Sequence, residues 1–267
     1  MSDFPTAQEF CVSIPLYVFY PVTQENFEQF HSSFVCANSI DCFCVECGKE
    51  STFRIKDNYY AQGRTLFDNW ADHYKYLSLM WRCSRDDEHQ IIHTFMFNAE
   101  RGVQKVGQFP SSYDVTVPGL KKYKKILGAE RHAEMVKAVG LHAHGAGAGS
   151  LIYLRRIFEG LIEEAHTEAL TFEEWVKAHG TDFDGLRVAD KIKSLKRFLP
   201  KFLVDNQKIY GALSQGVHSM SEDECSKLFP VLRSAIELIL NQKLSEMQQK
   251  KHEIEIAKHL NAIERAG

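Results

Sequence analysis

The sequence predicts an α+β protein, with hairpin-forming strands in the first half and helices throughout the second. Three observations carry this. The aromatic and apolar run Tyr74–Cys83 is followed, after the polar loop SRDDEH, by Gln90–Phe97, in which Ile91, His93, Phe95 and Phe97 alternate onto one face. Beyond Pro118 the apolar spacing becomes helical and stays so. Four of the seven cysteines, Cys36, Cys42, Cys44 and Cys47, fall within twelve residues of the first half.

Composition sets the outer bounds. With 267 residues, 44% hydrophobic and 25% charged side chains and seven prolines, the chain is neither disordered nor collagenous, and it is large enough to bury a core without disulfides. No apolar run approaches the roughly 18 to 20 residues of a membrane span, so no membrane partner is expected. MSDFPTAQEF carries acidic residues and no basic apolar signal, and nothing in it suggests export. An odd cysteine count without a signal peptide then reads as metal binding in the reducing cytoplasm.

In chain order, VSIPLYVFYPV from Val12 to Val22 is β-branched and aromatic and favours a strand, with its two prolines placing it at an edge or making it irregular. Thr23–Phe34 reads as a short helix. The Tyr74–Phe97 hairpin comes next, and Gly102 and Gly107 bracket a third strand. The turn-rich PSSYDVTVP marks the boundary, giving domains 1–117 and 118–248 and a tail 249–267. Helices are expected at about Glu130–Leu141, Ser150–His166, Leu186–Leu199 and Lys201–Gln215. Thr171 with Glu174, and Ser221 with Glu224, fit the capping box, in which hydroxyl and carboxylate satisfy orphan amide donors. Pro230 should kink or interrupt the last helix. The polar tail Ser245–Ala266 reads either as a projecting helix that finds a partner or as a frayed terminus.

Charge divides along the same line. Up to Leu120 there are 9 basic against 15 acidic residues, and beyond it 23 against 20. The acidic first half is a poor candidate for phosphate binding. The second half has two basic clusters, Lys121–Lys125 and Lys191–Lys201, which suit nucleic acid or simply form solvated helix faces.

The cysteine cluster is the strongest chemical signal. Cys44-Val-Glu-Cys47 is a C-x2-C knuckle followed by Gly48, whose freedom at positive φ suits the tight turn. Cys83 and His89 stand at opposite ends of the predicted hairpin loop and complete a tetrahedral set of three thiolates and one imidazole for a structural Zn2+. His93 is a rival ligand but falls on the apolar strand face, where packing explains it better. Cys42 fits the spacing less well than Cys44, and Cys11, Cys36 and Cys225 read as packing.

In the second half, Leu151, Leu154, Ile157, Phe158, Leu161 and Ile162 form a broad apolar arc on one helix. Arg155 and Glu159 lie together at its edge, with Arg156 nearer solvent, so the pair either holds helices in register or lines a site. Just before this helix stand Gly145, Gly147 and Gly149. They fit a close helix crossing or, less well, a phosphate cradle, since neither a preceding strand nor a P-loop lysine is present.

The runs GSLIYLRRIFEGLIEEA from Gly149 and YGALSQGVHSMSEDECSKLFPVLRSAIELIL from Tyr210 resemble the helical domains of the HEPN superfamily. With the CVEC knuckle and VGQFPS at Val106, the chain is more closely similar to uncharacterised bacterial proteins that join such a domain to a zinc-ribbon-like segment. The resemblance spans about Asp41–Leu244. It implies an all-α HEPN-like bundle behind a zinc-ribbon-like hairpin segment, homodimers formed through the helices, and a binding or regulatory role in bacterial defence or stress response, with RNA or another nucleic acid as a partner of the C-terminal half. In HEPN ribonucleases an arginine lies four to six residues before a catalytic histidine. Here His218 occupies the histidine position, but Ala212, Leu213 and Ser214 stand where the arginine would be. The alternative expectation is therefore a metal-independent endoribonuclease in which Arg155 or Arg156, supported by Glu159, supplies the cation. His218 has a second reading as a helix-end cap.

Overall fold

The computed structural model describes residues 4–32, 37–55, 67–73, 75–180 and 183–264, by backbone alone at 69, 72–73, 217–218 and 260–264. The chain is mixed α+β and forms two compact units. The first comprises Met1–Leu120 with Val139–Ala146, and the second Lys121–Ala138 with Gly147–Gly267. The stretch Val139–Ala146, expected among the helices of the second half, thus belongs to the first unit. The Leu16 amide donates to the Ala143 carbonyl at 3.0 Å there.

In the first unit a π-helical turn (Glu9–Ser13) precedes β1 (Phe19–Tyr20), α1 (Phe27–Phe30), β2 (Ser39–Cys44), β3 (Lys49–Arg54), α2 (Trp70–His73), β4 (Tyr76–Cys83), β5 (Gln90–Asn98), β6 (Gly102–Phe109) and α3 (Ser112–Thr116). The six strands form one sheet in the order β1-β6-β5-β4-β3-β2, antiparallel at every pairing. Strict alternation on β4 and β5 turns Leu77, Leu79, Trp81 and Cys83 inward beside Ile91, His93, Phe95 and Phe97. The pairs Leu77–Phe95, Leu79–His93 and Trp81–Ile91 face each other directly in the register. Aromatic side chains from outside the sheet fill this face: Phe10 meets Phe95 at 5.6 Å, and Trp70 meets Phe97 at 5.8 Å.

The strand expected over Val12–Val22 shrinks to the two residues of β1, at the sheet edge. The segment before it coils because Phe10 and Cys11 are wholly buried on the π-helical turn, and Pro15 and Pro21 cannot donate to a ladder. Within the described residues, the helix expected over Thr23–Phe34 forms as α1, continuing as π-helix through His31 and Ser32. Cys36 lies outside them.

The second unit contains most of α4 (Lys124–Ala143), then α5 (Gly147–Ala169), α6 (Glu173–His179), α7 (Val188–Ser194), α8 (Lys201–Asp205), α9 (Lys208–His218) and α10 (Glu222–Glu264). α5 packs against α9 and α10, and all six residues of its apolar arc are buried. Several helix ends differ from expectation for local reasons. Thr171 does not open a capping box. Its hydroxyl donates back to the Glu168 carbonyl at 2.8 Å, and α6 starts after Phe172 without a side-chain cap. The single helix expected over Lys201–Gln215 divides at Asn206, whose side-chain amide satisfies the Phe202 carbonyl at the end of α8. The Ser221–Glu224 box forms as expected, with the Ser221 amide and hydroxyl donating to the Glu224 carboxylate at 2.8 and 2.9 Å.

Pro230 does not interrupt α10, which continues through it for 43 residues. Phe229, Leu232, Ile236, Ile239 and Leu240 are all buried on that helix, and this packing offsets the roughly 3 kcal/mol cost of an internal proline. Every side chain from Ser245 to His259 is exposed. Among the described residues no helix is long and apolar enough to cross a membrane.

Candidate metal centre

Two hairpins build the centre. Cys44 ends β2, and the chain turns through Cys47 and Gly48 into β3, with Gly48 at φ 68° and its amide bonded to the Cys44 carbonyl at 2.9 Å. A side chain at Gly48 would force an L-residue into the left-handed region. The Cys47 amide points at Cys44 Sγ, 3.3 Å away. In the second hairpin Cys83 ends β4, and its amide donates to the His89 carbonyl at 2.9 Å, which closes the loop and sets thiol and imidazole side by side.

The ligand atoms of Cys44, Cys47, Cys83 and His89 all lie within 4.8 Å of one another, and this group could hold a metal ion. His89 Nδ1 stands 3.2 Å from Cys47 Sγ and 3.7 Å from Cys44 Sγ, and the sulfurs of Cys47 and Cys83 are 3.9 Å apart. A tetrahedron built on metal–sulfur bonds of about 2.3 Å has edges of about 3.8 Å, close to the 3.7 and 3.9 Å separations here. The other ring nitrogen, Nε2, faces Glu46 Oε2 and Asp86 Oδ2, each at 3.5 Å. Carboxylates in that position orient a ligating imidazole and strengthen it as a donor. Neither acid is marked for this position by its residue type. The available signal was their placement, Glu46 inside the knuckle and Asp86 inside the Cys83–His89 loop.

The thiols respond differently to their surroundings. Burial and the adjoining Cys44 and Cys83 sulfurs push Cys47 up to about 11. At Cys83 burial works against ionisation, but hydrogen bonds from Ser51 Oγ and the Arg85 and Asp86 amides outweigh it and bring the thiol down to about 6. Three sulfurs packed this closely cannot all ionise without a cation between them.

The neighbouring candidates stand apart from the group. Cys42 is buried on the same strand as Cys44, and desolvation pushes its thiol up to about 12. His93 is 1% exposed between Trp81 and Phe95. Burial, and then the charge of Lys105, bring it down to about 3. Lys105 itself is fully buried on β6, donating to the Cys11 carbonyl at 2.8 Å and to Gln108 Oε1 at 3.2 Å. Both partners are neutral, and burial lowers its amine to about 8. Nothing in the local pattern of β6 marks Lys105 as an inward-facing residue.

In the second unit Arg155 and Glu159 form an ion pair at 2.9 Å, and Tyr210 of α9 joins both through its hydroxyl, at 3.2 Å from the guanidinium and 3.1 Å from the carboxylate. Arg156 pairs instead with Glu134 at 3.3 Å. Tyr210 was not among the residues expected to act. Its signal is a phenol on the core-facing side of a helix, which needs a polar partner when half buried. His218 is the last residue of α9, and its side chain lies outside the described residues. At the glycine-rich turn, a Cβ on Gly147 would stand 2.5 Å from the Glu222 carbonyl oxygen and 2.6 Å from the Ser226 amide. The Ala148 amide is taken by the Glu222 carboxylate at 2.9 Å. The glycine therefore serves a close helix approach, and a carboxylate already occupies an amide that a phosphate would need.

Fold and site together define the class as a two-unit α+β protein with a Cys3His group able to hold a metal ion. No family model matches the sequence, and neither a curated protein nor a solved structure matches it.

Proposed function

We propose that the chain is a zinc-stabilised, non-catalytic binding protein, with a HEPN-like helical unit that associates with nucleic acid in the cytoplasm. The observation that carries it is the closed donor set of Cys44, Cys47, Cys83 and His89. Three thiolates with one imidazole favour Zn2+ among the available divalent ions, and four protein ligands leave no position for a substrate or an activated water. When bound, the ion supplies folding energy at the junction of two hairpins, which pair with each other at two positions, Phe53 with Cys83 and Arg54 with Arg82. The resemblance of α5, α9 and α10 to HEPN domains supports homodimers formed through those helices and a setting in bacterial defence or stress response.

The same geometry weighs against the endoribonuclease reading. Cleavage without a metal needs a cation free to meet the developing charge on phosphorus. Arg155 is engaged by Glu159 and Tyr210, and Arg156 by Glu134. Incubating the purified protein with single-stranded RNA tests the choice. The expected result is retention at low salt, release as salt rises and no cleavage, with His218→Ala without effect. Cleavage that disappears in His218→Ala would contradict the reading and establish the nuclease. Absence of retention at any salt would contradict it as well.

A further inference from the structure

A groove of about 820 Å³ lies between α6 and α7 in the helical unit. Its floor is aromatic. Trp175 anchors the two helices together by donating from Nε1 to the Ser194 carbonyl at 2.9 Å. Phe172 and Phe198 also line the groove, with ring centroids 5.2 Å apart and tilted at 53°. Phe172 is 48% exposed, so one face of its ring is open to a stacking partner.

The α7 side is strongly basic. Between Arg187 and Lys201 the sequence holds six basic residues and one acidic residue. Lys193, Lys196 and Arg197 line the groove and are exposed. Acidic groups also line it, and their pairings decide the net field. Asp190 is taken by Lys193 at 3.1 Å, and Glu173 lies 3.8 Å from Lys177. Lys196 and Arg197 make no ion pair among the described residues, so only Glu174 is left opposing two unpaired cations. The groove therefore presents one exposed and one half-buried phenyl ring beside two cations without an ion pair among the described residues.

That combination fits one chemistry better than others. A nucleobase offers a π-face for Phe172 and Phe198, and its phosphates suit Lys196 and Arg197 at the rim, which is how single strands are held without sequence readout. A duplex would hide its base faces and leave the phenyl rings uncovered. An acidic peptide would satisfy the cations but gain little from two tilted aromatic rings. We infer that this groove binds a short single-stranded segment of nucleic acid, with bases stacked on Phe172 and Phe198 and phosphates on Lys196 and Arg197. The inference rests on the nucleic-acid reading above and assigns it a place.

The test uses the full chain and a fluorescein-labelled single-stranded RNA of about a dozen nucleotides, followed by fluorescence anisotropy over a salt series. Phe172→Ala is expected to weaken binding about tenfold. Lys196→Ala with Arg197→Ala is expected to weaken it about tenfold at 0.1 M salt and to reduce the slope of log affinity against log salt by about 1.4, the share of two phosphate contacts to a single strand. All three side chains are exposed, and circular dichroism checks that the variants keep their fold. If the RNA binds and neither variant changes affinity or slope, the groove assignment is wrong while the wider reading stands. If the RNA does not bind at any salt, both fall. Equal binding of a labelled polyglutamate peptide, insensitive to Phe172→Ala, would overturn the assignment in favour of an acidic protein partner.

Discussion

Lys105 shows most clearly how one residue can be structurally decisive and silent in the sequence. It sits in β6 between ordinary strand residues, yet its amine is enclosed and donates to the Cys11 carbonyl and Gln108 Oε1. Burial lowers the amine from 10.5 to about 8, so between those values the unfolded chain binds the proton more tightly than the folded one. Stability contributed by the neutral amine is fully present above about 10.5 and is lost as pH falls through about 8. The thiols of Cys11 and Cys42, raised to about 12, act in the opposite direction at alkaline pH, so the comparison must be made between proteins. The stability of the wild type relative to Lys105→Met should rise by about 3 kcal/mol from pH 8 to pH 10.5 in urea titrations. Parallel curves for the two proteins would show that the amine titrates normally. The ligands were far more legible than Lys105. Cysteines at a knuckle spacing, and a cysteine and histidine at the two ends of one loop, are constrained by chain geometry over a few residues. Lys105 is constrained only by what folds over it from the π-helical turn far away in sequence.

At the scale of elements, the strands and helices that could be read were those whose pattern repeats within the element. β4 and β5 alternate over their whole length, and the arc of α5 recurs through about three turns, so each carries its own evidence. The misreadings fall where a distant or adjoining group intervenes. Thr171 has the right partner three residues on, but the end of α5 captures its hydroxyl first. Pro230 has the chemistry of a helix breaker, but the buried side of α10 holds the helix together around it. The start of α5 depends on a close approach to α10 that one glycine makes possible. Gly147→Ala places a methyl group against the Glu222 carbonyl and the Ser226 amide, backbone atoms that cannot rotate away. The substitution should destabilise the helical unit by roughly 1–3 kcal/mol, read as a lower urea midpoint with an unchanged slope. An alanine variant as stable as the wild type would mean that the two helices are not so closely apposed in solution.

For the whole molecule, the division into an acidic unit carrying the metal-binding group and a mildly basic helical unit was visible in charge counts and in the change of apolar period. The return of Val139–Ala146 to the first unit was not, because helical periodicity says which side of a helix is apolar and nothing about what that side meets. The two units also differ in what sustains them. The helical unit closes a continuous core along α5 and α10. In the first unit the β2–β3 hairpin joins the rest of the sheet by only two paired positions on β4, Phe53 with Cys83 and Arg54 with Arg82. The metal ligands lie across that same junction, so an ion there ties the hairpin to the sheet where the ladder is short. Metal content of the purified protein, measured by plasma mass spectrometry beside thermal unfolding, tests this directly. About one zinc per chain is expected, lost in Cys47→Ser together with a large drop in the unfolding temperature of the first unit. A wild-type protein that is metal-free after purification in zinc-replete medium, and as stable as Cys47→Ser, would contradict it.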